Sequence, residues 1–125
     1  MTENGLSKVI FDSALKIHRV LGPGLLESAY EKCLYYELIQ AGLLVEKQKP
    51  LPLVYEAIKL EVGYRVDLMV EKKVVVEVKA VEAITDVHLP QVLTYLKLSG
   101  CKLGLLINFN VTMLKNGVRR IANQL

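Results

Sequence analysis

Cysteine and histidine are scarce in this chain, and their scarcity excludes several classes of protein. It has two cysteines and two histidines, too few and too scattered for a disulfide scaffold or a zinc cluster. Neither histidine lies beside a convincing nucleophile, so a serine or cysteine hydrolase is not expected. His18 has no second ligand at suitable spacing and is predicted to be a partly buried structural residue. We interpret both cysteines as reduced, packed thiols of a cytoplasmic protein.

Long hydrophobic runs and the common catalytic motifs are also missing. No apolar stretch approaches the ~18–20 residues that span a membrane, and the first residues show no signal-peptide core. We therefore expect no membrane association. The sequence contains no G-x-x-x-x-G-K-[ST], H-E-x-x-H, G-x-S-x-G or C-x-x-C. P-loop nucleotide hydrolases, helix-borne zinc proteases, α/β-hydrolases and dithiol oxidoreductases are thus not supported.

The chain is, by contrast, rich in apolar residues. Hydrophobic residues make up 52% of its 125 residues, and the mean hydropathy is +0.32. With no repeat or linker, residues 1–125 are predicted to form a single domain. So high an apolar content suggests a well-covered sheet and a subunit interface, and we expect a homodimer. The net charge of +3 is compatible with a polyanionic partner but is no strong argument for one.

The spacing of apolar residues predicts a mixed α/β fold. Helical periodicity and glycine or proline boundaries indicate helices at about 6–21, 25–41 and 85–98, and a short basic helix from about 117. Strand-like segments lie near 43–48, 51–60, 63–70, 74–80 and 102–108, with Pro50 and Pro52 marking a break or an edge strand. Two antiparallel pairings followed by a strand–helix–strand crossover predict a mixed sheet with helices on both faces.

A tight hairpin is predicted between the strand-like segments 63–70 and 74–80. Only Glu71-Lys72-Lys73 separates them, so the loop has three residues and Lys73 is expected at its left-handed position. This register sets residue 67 directly opposite residue 77.

Asp67, Glu77 and Lys79 share one face of this predicted hairpin, because side chains alternate along a strand. The other face is formed by Val66, Leu68, Val70, Val74, Val76 and Val78. Opposed carboxylates have Cβ atoms only ~4.5–5.5 Å apart and repel each other. A divalent cation between them would remove the repulsion. The alternative is an ordinary polar face that is exposed to solvent.

Two further sets of polar residues lie on predicted helices. Glu27 extends an apolar stripe of the second helix, and is either close to a buried site or placed in the first turn to interact with the helix dipole. His88, Gln91 and Tyr95 form one face of the third helix. Gln91 and Tyr95 could bind a phosphate or a base edge, or belong to an ordinary solvated stripe.

Several blocks, taken together, resemble a known family. Gly24-Leu-Leu-Glu27-Ser-Ala-Tyr30 matches the signature of the GxxExxY proteins, which are members of the PD-(D/E)xK nuclease superfamily. The resemblance extends along nearly the whole chain. Its other blocks are His18-Arg-Val-Leu-Gly-Pro-Gly24, Gly63-Tyr-Arg-Val-Asp67-Leu, Glu77-Val-Lys79-Ala, Gln91-Val-Leu-Thr-Tyr95-Leu-Lys and Gly104-Leu-Leu-Ile-Asn-Phe-Asn110. Pro90 departs from the family pattern. In that pattern a small residue such as Ala is expected before the glutamine.

The resemblance implies a restriction-endonuclease-like αβββαβ core, in which helices flank a mixed four-stranded sheet. It also implies a metal-dependent nuclease. Asp67, Glu77 and the carbonyl of Val78 would bind Mg2+, with Mn2+ as a substitute. Lys79 would stabilise charge or orient the attacking water.

The resemblance assigns the remaining site residues as well. Glu27 would be the acidic residue that the first core helix often contributes, and Gln91 and Tyr95 would hold nucleic acid, DNA before RNA. A nuclease-fold protein that acts without catalysis is the alternative: a dimeric binding or accessory subunit of a protein partner.

Overall fold

The computed structural model describes residues 1–125. Two α-helices are followed by three strands, a third helix and two more strands, and the helices begin and end within a few residues of their predicted bounds. The elements are α1 (Glu3–Leu21), α2 (Glu27–Gln40), β1 (Val45–Tyr55), β2 (Ile58–Val70), β3 (Val74–Lys79), α3 (His88–Ser99), β4 (Leu103–Asn108), a 3-10 turn (Leu114–Gly117) and β5 (Val118–Ala122).

The five strands form one mixed sheet in the order β1-β2-β3-β4-β5. Only β3 and β4 run parallel, joined by the crossover helix α3. One hydrophobic cluster lies between the sheet and helices α1 and α2, and a smaller one lies beneath α3. The predicted mixed sheet flanked by helices on both faces is confirmed. No helix of the fold combines the length and the hydrophobicity that crossing a membrane requires.

The C-terminal segment is a strand, where the sequence analysis predicted a short basic helix. β5 pairs antiparallel with β4, so the sheet has five strands and not four. Every residue of β4 is buried, and without β5 one row of its backbone polar groups would lack hydrogen-bond partners. The need to pair this strand outweighs the weak helical signal of the basic segment.

The segment 51–60 is also not the single strand that was predicted. It is the tip of a long hairpin in which β1 turns into β2 at Glu56 and Ala57, with Glu56 at a φ of 54°. Neither residue has the Asn-Gly type of turn signal, which explains the error. β1 includes Pro50 and Pro52 and lies at an edge of the sheet, and its register against β2 shifts between Leu51 and Leu53. The prolines therefore lie in an edge strand, and the ladder is interrupted at Pro52.

The hairpin between β2 and β3 has the predicted register and loop length. Residues 68–70 pair with 74–76 across a three-residue loop. The left-handed residues are Glu71 and Lys72, at φ 53° and 55°, and not Lys73 as predicted.

Two glycines fix α3 against the sheet. Gly100 ends the helix, as the sequence predicted, and adopts the left-handed conformation at a φ of 77°. Gly104 on β4 lets the helix approach closely, since a Cβ there would lie 2.6 Å from Cγ1 of Val92. α3 therefore packs closely against β4, the neighbour of β3, which carries Glu77.

Candidate active site

The backbone ladder between β2 and β3 stops at Leu68 and Val76, and two carboxylates continue it. The backbone N–H of Asp67 donates to Glu77 Oε2 at 2.7 Å. The N–H of Val78 donates to Asp67 Oδ2 at 2.9 Å. Each carboxylate thus accepts a hydrogen bond from the opposite strand, where a backbone carbonyl would otherwise be the acceptor. The structure brings the two predicted acidic residues together.

Glu77 lies in an environment that disfavours its charge. Its side chain is buried, and burial is the largest cause that raises its pKa, to about 8; the charge of Asp67 adds to the effect. The hydrogen bond from the Asp67 backbone and the charge of Lys79 act in the opposite direction. At neutral pH the pair therefore holds a proton unless another positive charge replaces it.

A third carboxylate, Glu31 of α2, joins the pair through Gln48. The Gln48 side-chain Nε2 lies 3.1 Å from Glu31 Oε1 and 2.9 Å from Oε2, and 3.3 Å from Asp67 Oδ1. Burial is the largest cause raising the pKa of Glu31, the hydrogen bond from Gln48 lowers it, and the charges of Asp67 and Glu27 raise it further.

Sequence reasoning missed both Glu31 and Gln48. Glu31 follows Tyr30 of the buried stripe directly, but an acidic residue beside such a stripe is common on any amphipathic helix. Gln48 carries no motif at all. Their contact depends on how α2 packs against β1.

Glu27 occupies the first turn of α2 and is exposed. It makes no hydrogen bond or ion pair with Asp67 or Glu77, and reaches the site only through its effect on the pKa of Glu31. Its position also suits the helix dipole. Both interpretations of Glu27 therefore stand.

Lys79 ends β3 and is half-buried. The protein's three ion pairs involve other lysines, so its ammonium group is not held by a carboxylate. It nevertheless lowers the pKa of Glu77, which places its charge within reach of the acidic pair.

Asn108 fixes the chain just beyond Lys79. It pairs with Lys79 across β3 and β4 and is itself buried. Its Nδ2 donates to Val81 O at 2.9 Å, and Val81 N donates to its Oδ1 at 3.0 Å. The sequence analysis quoted Asn108 within a family block but gave it no role.

Tyr95 and Gln91 lie on α3 at different depths. Tyr95 is buried and Gln91 is exposed. The pKa of Tyr95 is raised by burial first, then by the charges of Glu77 and Asp67, while contact with Gln91 opposes the rise. The Tyr95 hydroxyl is thus within electrostatic reach of both carboxylates. Tyr95 therefore does not belong to an ordinary solvated stripe.

His88 begins α3 and has a local role. The backbone N–H of Thr85 donates to His88 Nδ1 at 3.1 Å. Pro90 lies in the first turn of this helix, where its missing N–H leaves no helical hydrogen bond unmade. Its departure from the family pattern therefore does not disrupt α3.

Val66 lies on the opposite face from the one predicted. It packs in the cluster beneath α3, whereas Leu68 packs against α1 and α2. Gln48 adopts a φ of 50°, and β1 and β2 pair on either side of it but not at Gln48 and Asp67. This irregularity breaks the strict alternation on which the prediction rested.

His18 is a structural residue, as predicted. It is buried, and its Nε2 lies 2.8 Å from the carbonyl oxygen of Val111. The contact joins α1 to the loop after β4, on a part of the protein that none of the acidic residues touches.

The donor set suits a hard divalent cation. No group of three or more His, Cys, Asp or Glu side chains forms a ready metal cluster. Asp67 and Glu77 nevertheless supply carboxylate oxygens from neighbouring strands, with Glu31 linked to Asp67 through Gln48, and oxygen is what Mg2+ binds in proteins. Burial and the charge of Asp67 raise the pKa of Glu77, so a bound cation would favour its ionised form. The residues therefore fit a metal ion that arrives with its own water ligands.

Comparison with known families gave one match. The family model of the PD-(D/E)XK nuclease superfamily covers residues 4–121, which is nearly the whole chain. No curated protein and no solved structure matched the sequence.

Proposed function

Since the chain belongs to the PD-(D/E)XK nuclease superfamily, we propose that it is a metal-dependent nuclease of the GxxExxY type, which hydrolyses phosphodiester bonds of nucleic acid. The observation that supports this most is the reciprocal hydrogen bonding of Asp67 and Glu77 where β2 and β3 separate. It fixes two acidic side chains side by side, and neither forms an ion pair with a lysine or arginine.

Asp67 and Glu77, with the carbonyl oxygen of Val78, would hold Mg2+ or Mn2+. When bound, the ion supplies a Lewis acid for the phosphate oxygens and a water that attacks phosphorus at neutral pH. The backbone N–H of Val78 orients Asp67, and that of Asp67 orients Glu77. Lys79, free of any ion pair, would place its positive charge beside the scissile phosphate or hold the attacking water.

Proton loss from Glu77 belongs to the same proposal. A carboxylate must be ionised to bind a metal, and Glu77 has a pKa of about 8 without one. Binding at neutral pH would therefore release a proton from Glu77. Glu31, and more distantly Glu27, add negative charge from α2 that favours the cation.

Gln91 and Tyr95 would hold the nucleic acid, with DNA favoured over RNA. Gln91 is exposed on α3 and can reach a phosphate or a base edge. Tyr95 is buried, and Tyr64 packs edge-on against its ring, with centroids 6.3 Å apart.

A non-catalytic role as a dimeric or accessory subunit is the second candidate. It is favoured by the outer half of the β1–β2 hairpin, which exposes a group of apolar side chains of the kind that monomers seldom leave uncovered. They are Val54, Tyr55, Ile58, Leu60, Val62 and Tyr64. A second copy or a protein partner would cover them. Both candidates suit the cytoplasm, because Cys33 and Cys101 are free thiols.

Incubation of the purified protein with labelled single- and double-stranded DNA and RNA separates the two candidates. We expect cleavage with Mg2+ or Mn2+ and none with EDTA. Absence of cleavage of all four substrates, with light scattering that shows a stable dimer, would favour the accessory role. Cleavage that continues in EDTA would contradict the metal-dependent mechanism.

A further inference from the structure

Gln48 has an unusual backbone conformation for a residue inside a strand. Its φ is 50°, in the left-handed region that residues other than glycine rarely adopt. Lys47 pairs with Leu68 and Lys49 pairs with Val66, but the ladder skips Gln48 and Asp67 between them. Such strain persists only where the surroundings impose it, and it is frequent at functional sites.

The conformation directs the side chain of Gln48 to two acidic residues at once. Its amide nitrogen lies within 3.3 Å of oxygens of both Glu31 and Asp67. A side-chain NH2 has two protons, so one can be donated to each carboxylate. Because the amide is neutral, it holds two like charges close together without supplying a positive charge that would compete with a cation.

Asp67 is thereby held at both of its oxygens. Oδ1 faces Gln48 at 3.3 Å, and Oδ2 accepts from the backbone N–H of Val78 at 2.9 Å. An ionised carboxylate has about four lone-pair sites, so two remain for a further ligand. The hydrogen bonds to Gln48 and Val78 orient the carboxylate, and so set the direction in which its two remaining lone-pair sites point.

We propose that Gln48 is a positioning residue for the metal-binding carboxylates: it orients Asp67 and joins it to Glu31 of α2. This inference rests on the nuclease function proposed above. Gln48 touches neither the nucleic acid nor the ion, and acts through Asp67. Partners of metal ligands typically contribute 10–100-fold to metal affinity.

The test replaces the amide by an apolar side chain of similar size. Gln48→Leu should raise the dissociation constant for Mn2+ about tenfold, measured by calorimetry on metal-free protein. Cleavage should need correspondingly more Mg2+, while kcat at saturating Mg2+ stays within about twofold of wild type. Gln124→Leu is the matched control, since Gln124 is an exposed glutamine that also has a positive φ, 58°.

A second variant covers the case in which Gln48→Leu does not fold. Gln48→Asn keeps the amide and suits a positive φ, but withdraws the nitrogen by one methylene. Its Mn2+ dissociation constant should lie between those of wild type and Gln48→Leu.

The outcomes separate this inference from the proposed function. If wild type binds Mn2+ and both Gln48 variants bind it equally well, the positioning role is wrong and the nuclease proposal stands. A lower melting temperature with unchanged Mn2+ affinity would show a merely structural role and would also overturn the inference. If wild type neither binds Mn2+ nor cleaves nucleic acid, the proposed function fails, and the positioning role with it.

Discussion

Asp67 and Glu77 lie where β2 and β3 separate, and the Glu77 carboxylate accepts a hydrogen bond from the backbone of Asp67 at 2.7 Å. The Asp67 carboxylate accepts one from Val78, the residue after Glu77, at 2.9 Å. Two acidic groups are thus held close together by hydrogen bonds from backbone N–H groups. The consequences for stability, metal binding and catalysis can each be measured.

The stability of the metal-free protein should depend on Glu77 and on pH. The folded pKa of Glu77, about 8, exceeds its ordinary value of 4.5, so the folded state binds the extra proton between these values. The stabilisation from this proton is complete below pH 4.5 and is lost as the pH rises through 8, by at most about 4–5 kcal/mol. Urea unfolding in EDTA at pH 5 and pH 8.5 measures the loss.

Glu77→Gln provides the comparison for this pH dependence. It has no proton to lose, so the difference in unfolding free energy between the two pH values should become small. An equal pH dependence in wild type and Glu77→Gln would contradict the assignment of the titrating group.

Metal binding should stabilise the fold through the same two carboxylates. At a Mn2+ concentration of ~100 times the dissociation constant, the gain is ~2.7 kcal/mol, which should raise the melting temperature by about 10 °C for a domain of this size. Asp67→Asn removes one of the two charges. Above pH 8, where Glu77 is ionised, its metal-free form should melt higher than wild type, and Mn2+ should shift it little. Identical Mn2+ titrations of the two proteins would rule out the site as described.

Gln91→Ala and Tyr95→Phe should weaken cleavage without weakening metal binding. Neither side chain hydrogen-bonds to Asp67 or Glu77, so the Mn2+ dissociation constant should stay near the wild-type value. Loss of one hydrogen bond to a charged group should lower kcat/KM about 10–100-fold. A parallel loss of Mn2+ affinity would place these residues at the metal. Full activity of Gln91→Ala would show that Gln91 belongs to an ordinary solvated face of the helix.

Asn108→Leu should destabilise the end of β3. The buried amide satisfies both backbone groups of Val81, and their loss should cost about 2–4 kcal/mol in the free energy of unfolding. Lys79 would lose its fixed position, so cleavage should fall as well. Asn116→Leu is the control, since its exposed side chain makes none of these contacts. Similar unfolding curves for both variants would contradict the role of Asn108.

The acidic pair could be predicted from the sequence because its geometry is local. Two apolar runs and a three-residue loop determine the register of β2 against β3, and with it the opposition of Asp67 and Glu77. Lys79, Gln91 and Tyr95 were also singled out by their faces on the predicted strand and helix, and the family resemblance implied roles for them that stay predictions. All of this depends on residues close together in the chain or within quoted motifs.

Glu31 and Gln48 could not be predicted, because their contact depends on tertiary packing. Nothing near Gln48 in the sequence indicates a φ of 50°, and without it the side chain would alternate with its neighbours. The same irregularity moved Val66 to the other face of the sheet. β5 was missed for a related reason. Its strand conformation is determined by pairing with β4, and the spacing of its own apolar residues does not indicate it.

The most direct measurement of the central claim compares cleavage of labelled nucleic acid by wild type, Asp67→Asn, Glu77→Gln and Lys79→Ala at equal concentration. Circular dichroism should first show that all four are folded. We expect wild type to cleave in Mg2+ and to stop in EDTA, and each variant to lose activity in Mg2+. Activity that persists in Asp67→Asn, or in wild type with EDTA, would contradict a metal-dependent nuclease site at Asp67 and Glu77.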